Sequence, residues 1–128
     1  IGWLKSGMWN EFRDDIASVV SAAGVPIKVM LELPLLSMKE RALAVELSIE
    51  AGAAYLKNAS SGAIETATPA SVEWLVAQAN GRAQVKASGS IKSLEQVIAL
   101  VSAGAALVGT SAGIDIVTGA TSTATTSY

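Results

Sequence analysis

Two short runs share one grammar: "QVKASGS" at 84–90 and "YLKNASSG" at 55–62 each bring a lysine at the end of an apolar approach and follow it with small residues and a glycine. A third lysine, Lys28, lies in "IKVMLEL" at 27–33. A neutral lysine amine can attack a carbonyl carbon and form a Schiff base. For that its pKa must be depressed, by burial or by neighbouring cations. A single strand lysine is usually a rim residue whose stem lies on apolar surface while its charge reaches water. The same pattern at equivalent ends of two strands instead favours one shared site, with one lysine as nucleophile and the other as its electrostatic tuner.

The rest of the composition narrows the chemistry. The 128 residues contain no histidine and no cysteine, which removes disulfides, thiol nucleophiles, the commonest zinc ligands and the usual general base. Catalysis must then come from Lys, Asp, Glu, Ser, Thr or Tyr. A net charge of −2 with scattered basic residues and few aromatics argues against a nucleic-acid partner. Ile1 opens no charged and apolar leader pattern, so no signal peptide is expected. Residues 97–120 are the nearest thing to a membrane span, but four glycines interrupt them, so no membrane partner is expected. A chain without cysteine suits the reducing cytoplasm.

With 51% apolar residues and 16% charged, the chain has the material for one well-buried domain. Residues 9–23 place Phe12, Ile16, Val19 and Val20 at helical spacing before Gly24. "VPIKVMLEL" at 25–33 reads as a strand. Ser37 and Glu40 form a capping-box pattern before a helix that Gly52 ends. The unit repeats: a strand around 53–59, a helix opened by Pro69 and closed near Gly81, a strand around 83–89, a helix from Ser93 to Gly104, and a strand in "AALVGTSAG" at 105–113. Alternating strands and helices predict parallel βα units, in an open sheet or in part of a closed barrel. In either, the carboxyl ends of the strands form the functional face. Period-two alternation puts Lys28, Met30 and Glu32 on one face, and Lys57 and Lys86 on the same side of their strands. The small-residue loops "SSG", "SGS" and "GTSAG" end there too and could cradle a phosphate. Trp3, Trp9 and Trp74 are expected to pack rather than bind ligand.

The run "VKASGSIKSLEQVIALVSAGAALVGTSAG", with "YLKNAS", "IKVMLELPLLS" and "IGWLKSG" before it, resembles the C-terminal half of deoxyribose-phosphate aldolase. The likeness extends to about residue 117. It implies a TIM (β/α)8-barrel fold of which this chain supplies about half, four strands corresponding to strands 5–8, since a whole barrel takes about 250 residues. Residues 1–117 would be the half-barrel and 118–128 a flexible Ser/Thr-rich tail.

The resemblance further implies a class I aldolase that reversibly cleaves 2-deoxy-D-ribose 5-phosphate to D-glyceraldehyde 3-phosphate and acetaldehyde. Lys57 matches the Schiff-base lysine and Lys86 the tuning lysine. Ser60, Gly62, Gly89, Ser90, Gly109 and Ser111 match the loops that hold the substrate phosphate. No cofactor is implied. Two departures stand out: the family's K-T-S-T-G is "KNASSG", with Asn58 in place of a threonine, and Ser90 replaces the second glycine of K-A-S-G-G. Both point to the phosphate region and to substrate identity, which leaves open a related Schiff-base aldolase with another aldehyde substrate, or a non-catalytic self-assembling half-barrel. The family's strand-4 aspartate, used in proton transfer, has no counterpart here. A half-barrel has two strand edges and an apolar face to cover, so a homo-oligomer or a pairing with an N-terminal half is expected. Some family members end in a tyrosine that reaches the site, but the Ser/Thr/Ala-rich context of Tyr128 assigns it no role.

Overall fold

A computed structural model of the chain describes residues 1–119. The expected tail at 118–128, Tyr128 included, lies outside the described residues except for Thr118 and Gly119. Helices α1 (Gly2–Lys5) and α2 (Trp9–Ala23) lead into strand β1 (Lys28–Met30). After a 3-10 turn at Leu33–Leu35 come α3 (Met38–Glu50), β2 (Tyr55–Lys57), α4 (Pro69–Ala79), β3 (Gln84–Ser88), α5 (Leu94–Ser102), β4 (Leu107–Gly109) and α6 (Gly113–Thr118). All four strands run parallel in one sheet, in the order β1-β2-β3-β4.

Local chemistry sets the helix starts. The Ser37 hydroxyl accepts from the Glu40 backbone N–H while the Glu40 carboxylate accepts from the Ser37 N–H. Equivalent reciprocal caps open α4, through Thr68 and Ser71, and α5, through Ser93 and Gln96. Such caps satisfy backbone donors that have no partner inside the helix, each contributing about 1 kcal/mol. The first strand is shorter than its sequence suggests. Glu32 takes a left-handed conformation with φ 52°, and Pro34 sits in the 3-10 turn, so the extended run ends at Met30 and Glu32 leaves the sheet.

The two sheet faces differ in burial. Val29, Leu56 and Val85 are in register on the helix-covered face, where Leu56 is 0% and Val85 2% exposed. With Val45, Val72, Leu75 and Leu100 they form the centre of the core, each large side chain stabilising the fold by about 1.5–3 kcal/mol through apolar burial. On the opposite face, Met30 is 47% and Leu107 42% exposed. That face has no layer of its own over it among the described residues. The tryptophans divide differently from expectation: Trp74 packs against the core, but Trp3 and Trp9 are about half exposed, because α1 and the start of α2 lie at the periphery of the sheet.

Beyond Lys57 the β2–β3 ladder is continued by a side chain. The fully buried Asn58 carboxamide accepts from the Ser88 backbone N–H at 2.9 Å and donates to the Ser88 carbonyl, also at 2.9 Å. The same amide nitrogen donates to Glu65 Oε2 at 2.9 Å. Gly89 completes the junction. A Cβ there would stand 1.9 Å from the Glu65 carbonyl oxygen, and its φ of +123° is itself a glycine conformation. The absent side chain lets the 58–67 loop dock on β3, where the Ala67 N–H donates to the Gly89 carbonyl. Asn58→Ala would leave buried backbone donor and acceptor unpaired, each costing about 1–3 kcal/mol. Denaturant unfolding should therefore show a loss of about 3 kcal/mol; a variant within experimental error of the parent would contradict this latch.

Candidate active site

The strand registry decides which lysines meet. Lys57 pairs with Lys86 across β2 and β3, and Met30 and Leu107 extend the same row into β1 and β4. Partners in register point to the same side, so both lysines stand on the open face, Lys57 at the carboxyl end of β2 and Lys86 in the middle of β3. Lys28 lies one row lower, in register with Tyr55 and Gln84. The sequence expectation of a shared lysine face therefore holds for Lys28, Lys57 and Lys86, while Glu32 leaves that alternation.

Lys57 is buried, only 7% exposed. Its Nζ donates to the Ser60 carbonyl at 3.4 Å, which aims the amine at the small-residue loop. Glu32 holds that loop from the other side: its carboxylate accepts from the Ser60 N–H at 3.2 Å. Lys86 is half-buried. Burial first, and then the nearby charges of Lys28 and Lys57, hold its pKa below the ordinary lysine range. Each effect disfavours the ammonium form, and none requires an acid. The depression falls on Lys86, the lysine matched from the sequence to the tuning position.

The six residues expected at a phosphate gather at the same end of the sheet, but they are not equivalent. Ser60 has its N–H and carbonyl engaged by Glu32 and Lys57. Gly62 is half-buried in the following turn. Gly89 is a packing glycine whose space is taken by the Glu65 carbonyl. Ser90 has φ 55°, which explains physically why a glycine would be favoured at this position. Gly109 is buried, and a Cβ on it would meet Lys86, 2.8 Å from Cε and 3.1 Å from Nζ. Ser111 is exposed in the turn before α6.

Asn58 takes a different role from the one its sequence position suggests. Its amide is committed to Ser88 and Glu65, so the departure at this position belongs to the scaffold beneath the loops rather than to a substrate contact. Sequence reasoning missed the partners, Ser88 and Glu65, because the contacts are backbone and loop pairings 30 and 7 residues away. Helix α6 was also missed, being only six residues long. Among the described residues no His, Cys, Asp and Glu group is placed to hold a metal ion, and no helix is long and apolar enough to cross a membrane.

No family model matches the chain. Curated relatives do. The chain is 43% identical over 117 residues to the deoxyribose-phosphate aldolase of Microcystis aeruginosa, covering 91% of this chain and 52% of that protein. It is 42% identical over 120 residues to that of Methanothermobacter thermautotrophicus, covering 93% and 54%. Among solved structures, an aldolase called QR15 superposes with a TM-score of 0.86 at 34% identity, over 92% of this chain and 54% of that one. The deoxyribose phosphate aldolase of Aeropyrum pernix, described as tetrameric, gives a TM-score of 0.76 at 32% identity, over 83% and 47%. The four parallel strands and their helices thus form the TIM-barrel type of sheet seen in these aldolases, about half of it. Over nine-tenths of its length this chain is homologous to the deoxyribose-phosphate aldolases, and it spans about half the length of the relatives it matches.

Proposed function

We propose that the chain is the Schiff-base half of a class I aldolase that reversibly cleaves 2-deoxy-D-ribose 5-phosphate to D-glyceraldehyde 3-phosphate and acetaldehyde. The observation that carries this reading is the in-register pair Lys57–Lys86 on one sheet face, at the strand ends where the small-residue loops converge. In the cleavage direction the neutral amine of Lys57 attacks the substrate aldehyde carbon, and loss of water gives a protonated imine. This cation accepts the electron pair of the breaking C2–C3 bond as the 3-hydroxyl loses its proton. Glyceraldehyde 3-phosphate leaves, and protonation and hydrolysis of the remaining enamine release acetaldehyde and restore the amine.

Lys86 serves as the tuner. A cation in the adjacent position of the row opposes a second positive charge and favours a neutral amine beside it. The phosphate is held by the loops around Ser60, Gly62, Gly89, Ser90, Gly109 and Ser111. Gly89 and Gly109 contribute by admitting close backbone approach and Lys86, as the clashes of an added Cβ indicate. The reaction needs no metal or organic cofactor, and a cytoplasmic setting accords with the cysteine-free composition.

The exposed Met30 and Leu107 and the outer edges of β1 and β4 support a second element of this reading, that another half covers the open face. It would come from further chain of the same protein or from a second copy. The 128-residue chain on its own should scatter light as a species larger than its 13.0 kDa monomer; a well-folded monomer would contradict this. Incubation with acetaldehyde and cyanoborohydride should leave one ethyl group on Lys57, located by peptide mass mapping, and none at that position in Lys57→Arg. An unmodified Lys57 in a folded, complete barrel would refute the assignment. Lys86→Leu should still trap acetaldehyde on Lys57, but at a lower initial rate near pH 7, because the neighbouring cation is gone; an unchanged rate would remove Lys86 from the tuning role.

A further inference from the structure

Gly109 and Ser88 are in register on adjacent strands, and each has an unusual feature directed at the same spot. Gly109 has no positive φ to justify a glycine, yet a Cβ there would lie 2.8 Å from Lys86 Cε, 3.1 Å from Lys86 Nζ and 3.1 Å from Ser88 Oγ. The backbone does not ask for a glycine, and the space a side chain would take is filled by the flexible head of Lys86. Ser88 is 0% exposed, and its hydroxyl is a buried polar atom without a hydrogen-bond partner. Its backbone is fully occupied by the Asn58 latch, so the orphaned group is the side chain only. An unpaired buried hydroxyl costs about 1–3 kcal/mol, which makes its retention here a question of what it meets.

We infer that Gly109 and Ser88 are positioning residues that form a seat for the Lys86 amine, Gly109 by leaving the space and Ser88 by supplying a hydroxyl acceptor when that amine is protonated. The lysine head and the hydroxyl both stand 3.1 Å from the place a Gly109 Cβ would take, so they flank one space into which the flexible lysine head can turn toward the oxygen. No other described side chain supplies a hydrogen bond or ion pair to the Lys86 amine. The groups facing it are Lys28 and Lys57, two further lysines, along with Gly109 and Ser88. A neutral acceptor in this position keeps the amine near its place in the row without neutralising it, as a carboxylate would. Gly109, read from the sequence as a phosphate residue, thereby acts through Lys86. The seat stands on this geometry; its consequence for the reaction rests on the reading of Lys86 as the tuner of Lys57.

The two halves of the seat make opposite predictions. Trace acetylation of the full chain with acetic anhydride across pH 7–11, read lysine by lysine by mass spectrometry, follows each amine without any aldehyde. A failed Schiff-base assignment and a failed seat are therefore separately visible. Ser88→Ala removes the acceptor of the ammonium, so labelling of Lys86 near pH 8 should rise roughly threefold. Gly109→Ala displaces the head toward the open face and into water, so labelling there should fall. The exposed Lys39 and Lys92 serve as controls and should not move. Opposite signs confined to the buried row support the seat, because a merely destabilising change would raise the labelling of many lysines together. An unchanged or reduced Lys86 signal in folded Ser88→Ala overturns it, and that variant alone decides if Gly109→Ala does not fold.

Discussion

Everything at the strand ends depends on the register between β2 and β3. Once Leu56 pairs with Val85 in the core, Lys57 must pair with Lys86 on the other face, because a strand alternates its side chains with a period of two. A slip of one residue in either strand would turn its lysine toward the helices and its core leucine or valine toward the open face. Hydrophobic burial thus places the two amines without any attraction between them. The Asn58 carboxamide then fastens the ends where the backbone ladder stops, so the loops that carry Ser60 and Ser90 start from fixed points.

The energetics of this arrangement run against the lysines and in favour of chemistry. A row of cations on a partly desolvated surface is unfavourable, and Gly109 and Ser88, the groups against the Lys86 head, carry no charge to offset it. Glu32, the acid that reaches the loop after Lys57, spends a carboxylate oxygen on the backbone N–H of Ser60. The depressed Lys86 is the visible result. The scaffold supplies the compensation elsewhere, through capped helices and a core of fully buried leucines and valines.

Much of this was legible in the sequence for identifiable reasons. The capping boxes, helix stops and β-branched runs are local signals, and they located α2 to α5 and all four strands. Alternation put Lys28, Lys57 and Lys86 on one face, and the shared motifs tied the chain to its aldolase relatives. What the sequence hid was long-range or three-dimensional. The roles of Gly89 and Gly109 depend on which atoms approach them, the Glu65 carbonyl and the Lys86 head, and no spacing rule carries that information. Asn58 looked like a change in a binding loop because its partner lies 30 residues away. Glu32 looked like a strand residue because its left-handed backbone is imposed by the turn at Pro34, and Trp3 and Trp9 looked like core because residue type says nothing about position at the rim of the sheet.

The covalent lysine is proposed to be the buried member of the row, with the tuned lysine beside it. A crystal structure of the barrel after acetaldehyde treatment and borohydride reduction tests this most directly. The expected result is an ethyl group continuous with Lys57 Nζ on the open face of the sheet, an unmodified Lys86 next to it against Gly109, and the Asn58 amide still bonded to Ser88. An ethyl group on Lys86 or on an exposed lysine such as Lys39, with Lys57 unaltered, would contradict it.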